Sequence, residues 1–439
     1  MIAIRNFLIL STGVLLGVGI AASQGVLAEK HEVSAVPYAK LQSFVEIMNR
    51  VKADYVEDVS DEDLLNNAIR GMLAGLDPHS AYLEGDAFRD MTITTSGQFG
   101  GLGIEVQMQN GWVRVVAPID ETPAAKAGIQ PGDYIIKIDD TPVKGMTLTD
   151  AVKRMRGEPG SKIRITVISD GAAAPREIKL TRDIINVASV RSRMLEPGIG
   201  YLRVSQFSST TGRSLVDEVA KLNKEAEGGL KGVILDLRNN PGGVLNAAVQ
   251  VSDAFLEKGT IVSIKGREEG NAREFNASPG DVLEGRPVVV MVNGGSASAS
   301  EIVAGALQDH HRGVLVGTKT FGKGSVQTIM PLRNEAAIKL TTARYYTPNG
   351  RSIQAEGIDP DVTVAAVTVT RNDRAVNPAQ VSEAQLRNRL EATVGEETDG
   401  AAGNNDADDN ASETLVERDY ALYESLNLLK GLIIVGKRG

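Results

Sequence analysis

Apolar positions along the chain change period several times, and each change marks a new segment. Phe7 to Ala22 is a nearly unbroken apolar run, with Arg5 before it and Val26-Leu27-Ala28 after it. A basic start, an apolar middle and a small-residue site make up a secretory signal, and the run is shorter than the ~20 residues a spanning helix needs. Residues 1–28 are therefore expected to be a cleaved signal peptide, with an uncleaved anchor as the alternative. Beyond it, Leu41, Phe44, Val45, Met48 and Val51 recur at helical spacing. A second helix opens at Ser60-x-x-Asp63 and carries Leu64, Leu65, Ala68, Ile69, Met72 and Leu73 before Gly75-Leu-Asp-Pro78 stops it. Two amphipathic helices bury little alone, so the N-terminal helical region, residues 29–95, is expected to pack on another domain or another subunit.

From Ser96 the period is two. Ile104, Val106 and Met108 alternate, Trp112 to Val116 follows, and Pro131-Gly-Asp133 turns into Tyr134-Ile-Ile-Lys-Ile138. Thr147-x-x-Asp150 then caps a helix with Leu148, Ala151, Val152 and Met155 on one face, and Ile163 to Ile168 returns as a strand. Residues 96–183 resemble a PDZ domain. Gly101-Leu102-Gly103-Ile104 matches its carboxylate-binding loop, Gly128 to Asp133 its internal turn, and the capped helix its groove wall. Glycines there let backbone N–H groups converge on a C-terminal carboxylate while an exposed strand edge pairs with an extended peptide.

Over residues 184–365 strands and helices alternate: Gly200 to Phe207, a helix face of Leu215, Val216, Val219 and Leu222, a buried strand Gly232 to Leu237, a helix through Val244 to Val251, and a buried strand Val288 to Val292. This predicts a mixed α/β core. Residues 366–414 are polar, with eight acids and no base between Glu391 and Glu413, and are expected to be a disordered linker. Leu415 to Ile433 regains helical spacing, so residues 415–439 read as a C-terminal helix, an association element or a helix packed back on the core. The fold class is thus multidomain α+β: a mixed α/β core, an inserted PDZ-like domain and helical elements at both ends.

Composition narrows the chemistry. The 439 residues carry 47 basic and 56 acidic side chains, a net charge of −9, so no basic face for nucleic acid is expected. With no cysteine and four histidines (His31, His79, His310 and His311), disulfides, thiol catalysis, thiolate metals and a histidine cage drop out, and no metal or cofactor is expected. Three other segments could carry a reaction. Asn293-Gly-Gly-Ser-Ala-Ser298-Ala-Ser-Glu runs from a buried strand through two glycines into a helix, where a hydroxyl meets free backbone N–H groups; N-capping is the simpler use of those serines. Lys323 stands between Gly322 and Gly324, and an extended backbone would put Lys323, Ser325 and Gln327 on one face. A lysine acts as a base only when neutral, so burial would have to lower its pKa. Asp236 to Val244 ends a buried strand in a glycine turn whose N–H groups could hold an oxyanion.

Together these segments resemble the carboxyl-terminal processing proteases, tail-specific serine peptidases with a Ser-Lys dyad. The resemblance spans about residues 37–365, including Gly71-Met-Leu-Ala-Gly-Leu-Asp-Pro-His-Ser80, Lys339 to Gly350 and Gly357-Ile-Asp-Pro-Asp361. It implies Ser298 as nucleophile, Lys323 as base, Gln327 as the residue orienting that lysine, and backbone N–H groups of Ala299 and of Gly242 or Gly243 as oxyanion donors. Arg156 resembles the arginine through which the PDZ helix communicates with the active site; a surface arginine is the plain reading. The resemblance also implies protein substrates held by their C-terminal segments, an adaptor among the partners, and gating by PDZ position or by homo-oligomerisation, for which the N- and C-terminal helices are the candidates. With the export signal, it implies a periplasmic enzyme, at the membrane if the signal stays uncleaved.

Two rival readings are weaker. Gly317 to Lys323 begins like a phosphate loop, but Gly324 stands where Ser or Thr should follow and the next residues alternate like a strand. A non-catalytic scaffold would keep the PDZ-like domain and show no turnover.

Overall fold

A computed structural model describes residues 37–169, 172, 174–268, 272–333, 336–365, 367 and 415–436. The signal segment and nearly all of the acidic linker lie outside the described residues. The chain divides into two units at Gly75. The first holds helices α1 (Tyr38–Asp54) and α2 (Asp61–Ala74). Ser60 caps α2 by accepting the Asp63 N–H at 3.0 Å, and Lys52 pairs with Asp61 at 2.7 Å across the connection. Tyr38, Leu41, Val45 and Ile47 on α1 are exposed.

The second unit begins with strand β1 (Ala81–Glu84), inside the stretch expected to be helical. Four residues between turn residues are too few to display a period, so the sequence pattern could not show it. Helix α3 (Gly85–Ser96) and strand β2 (Gln98–Gly101) lead into the PDZ-like region. There β3 (Ile104–Gln109), β4 (Trp112–Pro118), the short helix α4 (Pro123–Lys126), β5 (Tyr134–Ile138), β6 (Thr141–Pro142), α5 (Leu148–Met155), β7 (Lys162–Ile168) and β8 (Arg176–Thr181) follow in order. The sheet order is β3-β4-β5-β7-β8, with β6 paired to β5, so β3 is an edge strand. Alternate residues Val113, Val115, Ile135, Ile163, Ile165 and Val167 face one buried core. Strand β9 (Asp183–Asn186) pairs antiparallel with β2 and closes the insertion where it began.

Next come β10 (Val190–Glu196), β11 (Ile199–Val204), α6 (Thr211–Glu225), β12 (Gly232–Asp236), α7 (Leu245–Asp253), β13 (Thr260–Gly266), β14 (Arg273–Asn276), β15 (Val288–Val292), α8 (Ala299–Asp309), β16 (Gly313–Gly317), β17 (Ser325–Pro331), β18 (Ala336–Tyr346) and β19 (Val362–Thr363). Strands β10-β11-β12-β15-β16-β19 form the central sheet, parallel from β11 onward. A second, antiparallel sheet runs β1-β18-β13-β14, with β17 on β18.

Strands β12 and β15 are apolar at every position but Gly232 and Asp236, and parallel strands of that kind need cover on both faces. Val233, Leu235, Val288 and Val290 face the side packed by α6, α7 and α8. Ile234, Val289, Met291 and Val316 face the other side, packed by Leu422, Leu426 and Leu429. These belong to α10 (Tyr420–Gly436), which follows the single turn α9 (Leu415–Arg418). Of the two readings of the C-terminal helix, an association element or a helix packed back on the core, the structure has the second: Leu422, Leu426 and Leu429 cover the second face of its own sheet. Among the described residues no helix is long and apolar enough to cross a membrane.

Candidate active site

Strand β15 ends at Val292, and the turn 293–298 delivers three serines to the start of α8. Their hydroxyls have different fates. Ser296 Oγ donates to the Leu237 carbonyl at 2.9 Å and Ser300 Oγ to the Asn240 carbonyl at 2.9 Å, and both residues are fully buried. Among the described residues Ser298 Oγ donates to no carbonyl and makes no hydrogen bond with Lys323 or Gln327. Ser298 is the N-cap of α8 and has φ = +55°, a conformation that costs a non-glycine residue energy and recurs at catalytic elbows.

What holds that backbone is Glu301, a residue to which sequence reasoning assigned no role. Its carboxylate is wholly buried and accepts four hydrogen bonds: from Ser298 N–H (2.7 Å), Lys323 N–H (2.8 Å), Gly322 N–H (2.7 Å) and Thr320 Oγ1 (2.6 Å). One side chain thus fixes the backbones of both the serine and the lysine segments. The acid three residues after a serine is visible in sequence as half of a capping box; its partners 19 to 22 residues away are not. Gly322 and Gly324 are needed because a Cβ on either would press on backbone: 3.2 Å from Ala355 C at Gly322, 2.3 Å from Gln354 N at Gly324.

Lys323 is half-buried. Burial first, and then the neighbouring Lys339 ammonium, hold its pKa below the ordinary lysine value, against the pull of Asp77 and Glu301. Asp77 accepts from the N–H groups of His79 (2.8 Å) and Ser80 (2.9 Å) and from Ser80 Oγ (2.6 Å), and that hydroxyl is the main cause holding its carboxyl down to about 2. Ser80 Oγ accepts from Thr341 N–H at 3.1 Å, which ties the Asp77–Ser80 turn to β18. Gln327 lies on β17 beside Ser325, yet its amide donates to Ser325 Oγ at 2.8 Å and Thr341 Oγ1 at 3.4 Å rather than meeting Lys323. The expected single face of Lys323, Ser325 and Gln327 holds for the last two only, since β17 begins at Ser325 and Lys323 belongs to the glycine turn before it.

Asn239 to Gly243 faces the serine turn. Asn240 N–H donates to Leu237, its Oδ1 accepts from Gly242 N–H at 2.9 Å, and its carbonyl accepts from Ala297 N–H at 3.0 Å as well as from Ser300. Gly242 has φ = +100°, and a Cβ there would lie 2.8 Å from Ser298 Cβ and 3.0 Å from Ala299 N. Gly243 is exposed at φ = +143° and, like Ala299, has an N–H that donates to no acceptor among the described residues. The Asp236 carboxylate behind this loop is 2 % exposed and meets Arg238, Arg203 and Tyr201.

In the PDZ-like region the N–H groups of Leu102 and Gly103 likewise meet no acceptor among the described residues. Gly103 has φ = +75° and no room for a Cβ, which would lie 2.3 Å from Thr122. A cavity of about 110 Å3 lies between Gly101–Ile104 and α5, walled by Val106, Val152, Met155 and Arg156. Arg156 stacks on Phe99 at 4.6 Å and pairs with Asp90 at 3.7 Å. It stands at the groove, and no hydrogen bond links it to Ser298 or Lys323. Among the described residues no three His, Asp or Glu side chains gather as a metal site.

The sequence matches peptidase family S41 over residues 198–364, a PDZ domain over 114–169 and the N-terminal domain of the activating protease CtpB over 18–87. A carboxy-terminal-processing protease of Bartonella bacilliformis is 48 % identical over 362 residues, 82 % of this chain and 83 % of that one. The carboxy-terminal processing protease CtpA of Bacillus subtilis is 35 % identical over 81 % of this chain and 76 % of its own. Among solved structures, a photosystem II D1 C-terminal processing protease shares 33 % identity over 74 % of this chain and 88 % of its own, with a TM-score of 0.42. The three serines, the glycine-flanked lysine and the PDZ groove thus sit in a chain that belongs to the carboxy-terminal processing serine proteases of peptidase family S41.

Proposed function

We propose that this protease is an exported endopeptidase that recognises substrate C-termini through its PDZ domain and cleaves near them through a Ser298–Lys323 dyad and an acyl-enzyme. The observation that carries the reading is the contrast among the serines: Ser296 and Ser300 spend their hydroxyls on buried carbonyls, whereas the Ser298 hydroxyl has no carbonyl acceptor among the described residues and stands beside Gly242 and two unbonded N–H groups. Ser298 Oγ attacks the scissile carbonyl and passes its proton to neutral Lys323, and the Ala299 and Gly243 N–H groups hold the oxyanion. Gly243 is preferred to Gly242 because Asn240 already engages the Gly242 N–H. Collapse expels the amine, protonated by Lys323, and water then resolves the ester with the same lysine as base.

Ser298 and Lys323 make no direct hydrogen bond in this structure, so the reading includes a rearrangement on substrate binding. Glu301 already fixes the Lys323 backbone, leaving side-chain torsions to change. Gln327 orients the lysine once its amide leaves Ser325. Gly101 to Ile104 takes the substrate's C-terminal carboxylate while its chain adds to the β3 edge, and Arg156 relays groove occupancy. Residues 1–28 direct export, and the mature enzyme works in the periplasm or at its membrane, with an adaptor as a further partner.

Ser298→Ala and Lys323→Arg should each lower kcat on a fluorogenic peptide by about 10³-fold or more with unchanged circular dichroism, because the first lacks the nucleophile and the second a side chain able to lose its proton. Turnover by Ser298→Ala at the parent rate would overturn the assignment.

A further inference from the structure

The loop 236–243, which carries the proposed oxyanion glycines, has a tether at its other end that catalysis as described does not use. Arg238 donates its own N–H to Asp236 Oδ1 at 2.9 Å, and its guanidinium reaches both Asp236 oxygens at 2.6 to 3.1 Å. The remaining edge of the fork meets Asp419: Nη1 to Oδ1 at 2.9 Å and Nη2 to Oδ2 at 2.8 Å. Asp419 lies 181 positions away, between α9 and α10, where its Oδ1 also accepts the Leu422 N–H at 3.1 Å and caps α10. Asp236 is shared with Arg203 and Tyr201, so within this cluster two guanidiniums face a single carboxylate until Asp419 supplies the second. A largely buried arginine left half-paired costs far more than a surface one.

We propose that Asp419 is a positioning residue of the protease: docking of the C-terminal helix fixes Arg238, and through it the oxyanion loop. The route is short. Next to Arg238, Asn239 donates its N–H to Asn293 Oδ1 at 2.8 Å and accepts from Asn293 Nδ2 at 2.9 Å. Asn240 then holds Gly242, together with Ala297 just before the nucleophile and Ser300 two residues after it. The joints are the peptide bonds from Arg238 to Asn240 and hydrogen bonds between groups with fixed directions, so a displaced Arg238 moves the turn that faces Ser298. The helix thereby couples a sequence-distant end of the chain to the reacting centre, and it does so with a charge rather than with apolar packing alone.

The proposal rests on the reading of Ser298 and the 242–243 turn as the reacting centre, and the experiment separates the two. In the full chain, Asp419→Asn keeps a good helix cap and removes the charge; Leu429→Ala weakens the apolar seat of the same helix and leaves the ion pair alone. Steady-state kinetics on a fluorogenic peptide should show kcat about tenfold lower in Asp419→Asn with KM unchanged, partial recovery in Asp419→Glu, and near-parent kcat in Leu429→Ala at a temperature where all are folded. Equal kcat in Asp419→Asn and the parent, or an equal loss in Leu429→Ala, overturns the positioning role. If Asp419→Asn does not fold, Asp419→Ser, which also caps the helix, takes its place. Failure of both to fold while Leu429→Ala folds assigns the carboxylate to the fold alone and likewise overturns it. Full turnover by Ser298→Ala would instead defeat the underlying site, whatever Asp419 does.

Discussion

Ser296, Ser298 and Ser300 occupy alternate positions where the 293–298 turn enters α8, and their surroundings distinguish them. Two hydroxyls stitch the serine turn to 237–240, and the residue between them is held at positive φ with no carbonyl for its hydroxyl among the described residues. Glu301 makes that conformation tolerable by collecting the N–H groups of both Ser298 and Lys323 on one carboxylate oxygen. Lys323 in turn is kept low by burial and by Lys339, and this gives a signed prediction. Replacing Lys339 by Gln removes a like charge, so the Lys323 pKa rises toward its ordinary value and the limb of kcat/KM against pH that rises with deprotonation moves to higher pH. A pH profile superimposable on the parent's would show that another group titrates. The charge state of a lysine between two glycines was not legible in sequence, because desolvation depends on what folds over it.

Elements show a similar division. The PDZ groove was readable as a series: a glycine loop, an alternating strand and a capped helix, each with its own local signal. Structure adds why Gly103 cannot be replaced, since an alanine there would take up φ = +75° with its Cβ 2.3 Å from Thr122. Gly103→Ala should weaken binding of a fluorescent peptide with an apolar C-terminus by about tenfold or more in anisotropy titrations, while short peptides lacking that tail are cleaved at the parent rate; unchanged anisotropy would place tail binding elsewhere. Strand β1 had no such local signal: four residues, paired to β18 from Ala81 opposite Lys339 onward, become a strand only because an edge is available. Helix α10 was visible from its periodicity, but its partner was not. That β12 and β15 are apolar on both faces already called for a second cover, which periodicity within one element does not reveal.

At the scale of the whole molecule, the acidic segment 366–414 separates α10 from the sheet it covers, so the fold is closed by a helix arriving from far along the chain. Removing everything after Gly403 uncovers Ile234, Val289, Met291 and Val316 together, a contiguous apolar face of the kind that drives association. The truncated chain should aggregate in sedimentation velocity rather than run as a smaller, well-defined species. A monodisperse and active truncation would show that the helix is dispensable to the sheet.

Sequence alone determined which chemistry is available and the order of the parts: no thiol and few histidines, a PDZ-like insertion, an alternating core, serines at a helix start and a lysine between glycines. Those properties are local, set by side-chain type and spacing within a few residues. The tertiary structure decided which serine hydroxyls are spent on buried carbonyls, which carboxylate bridges the serine and lysine segments, that Gln327 rests on Ser325 and Thr341, and that α10 packs inward with Asp419 on Arg238. Each of these depends on groups tens to hundreds of positions apart meeting at hydrogen-bond distance or excluding water from one another, and no periodicity in a linear chain encodes such a meeting.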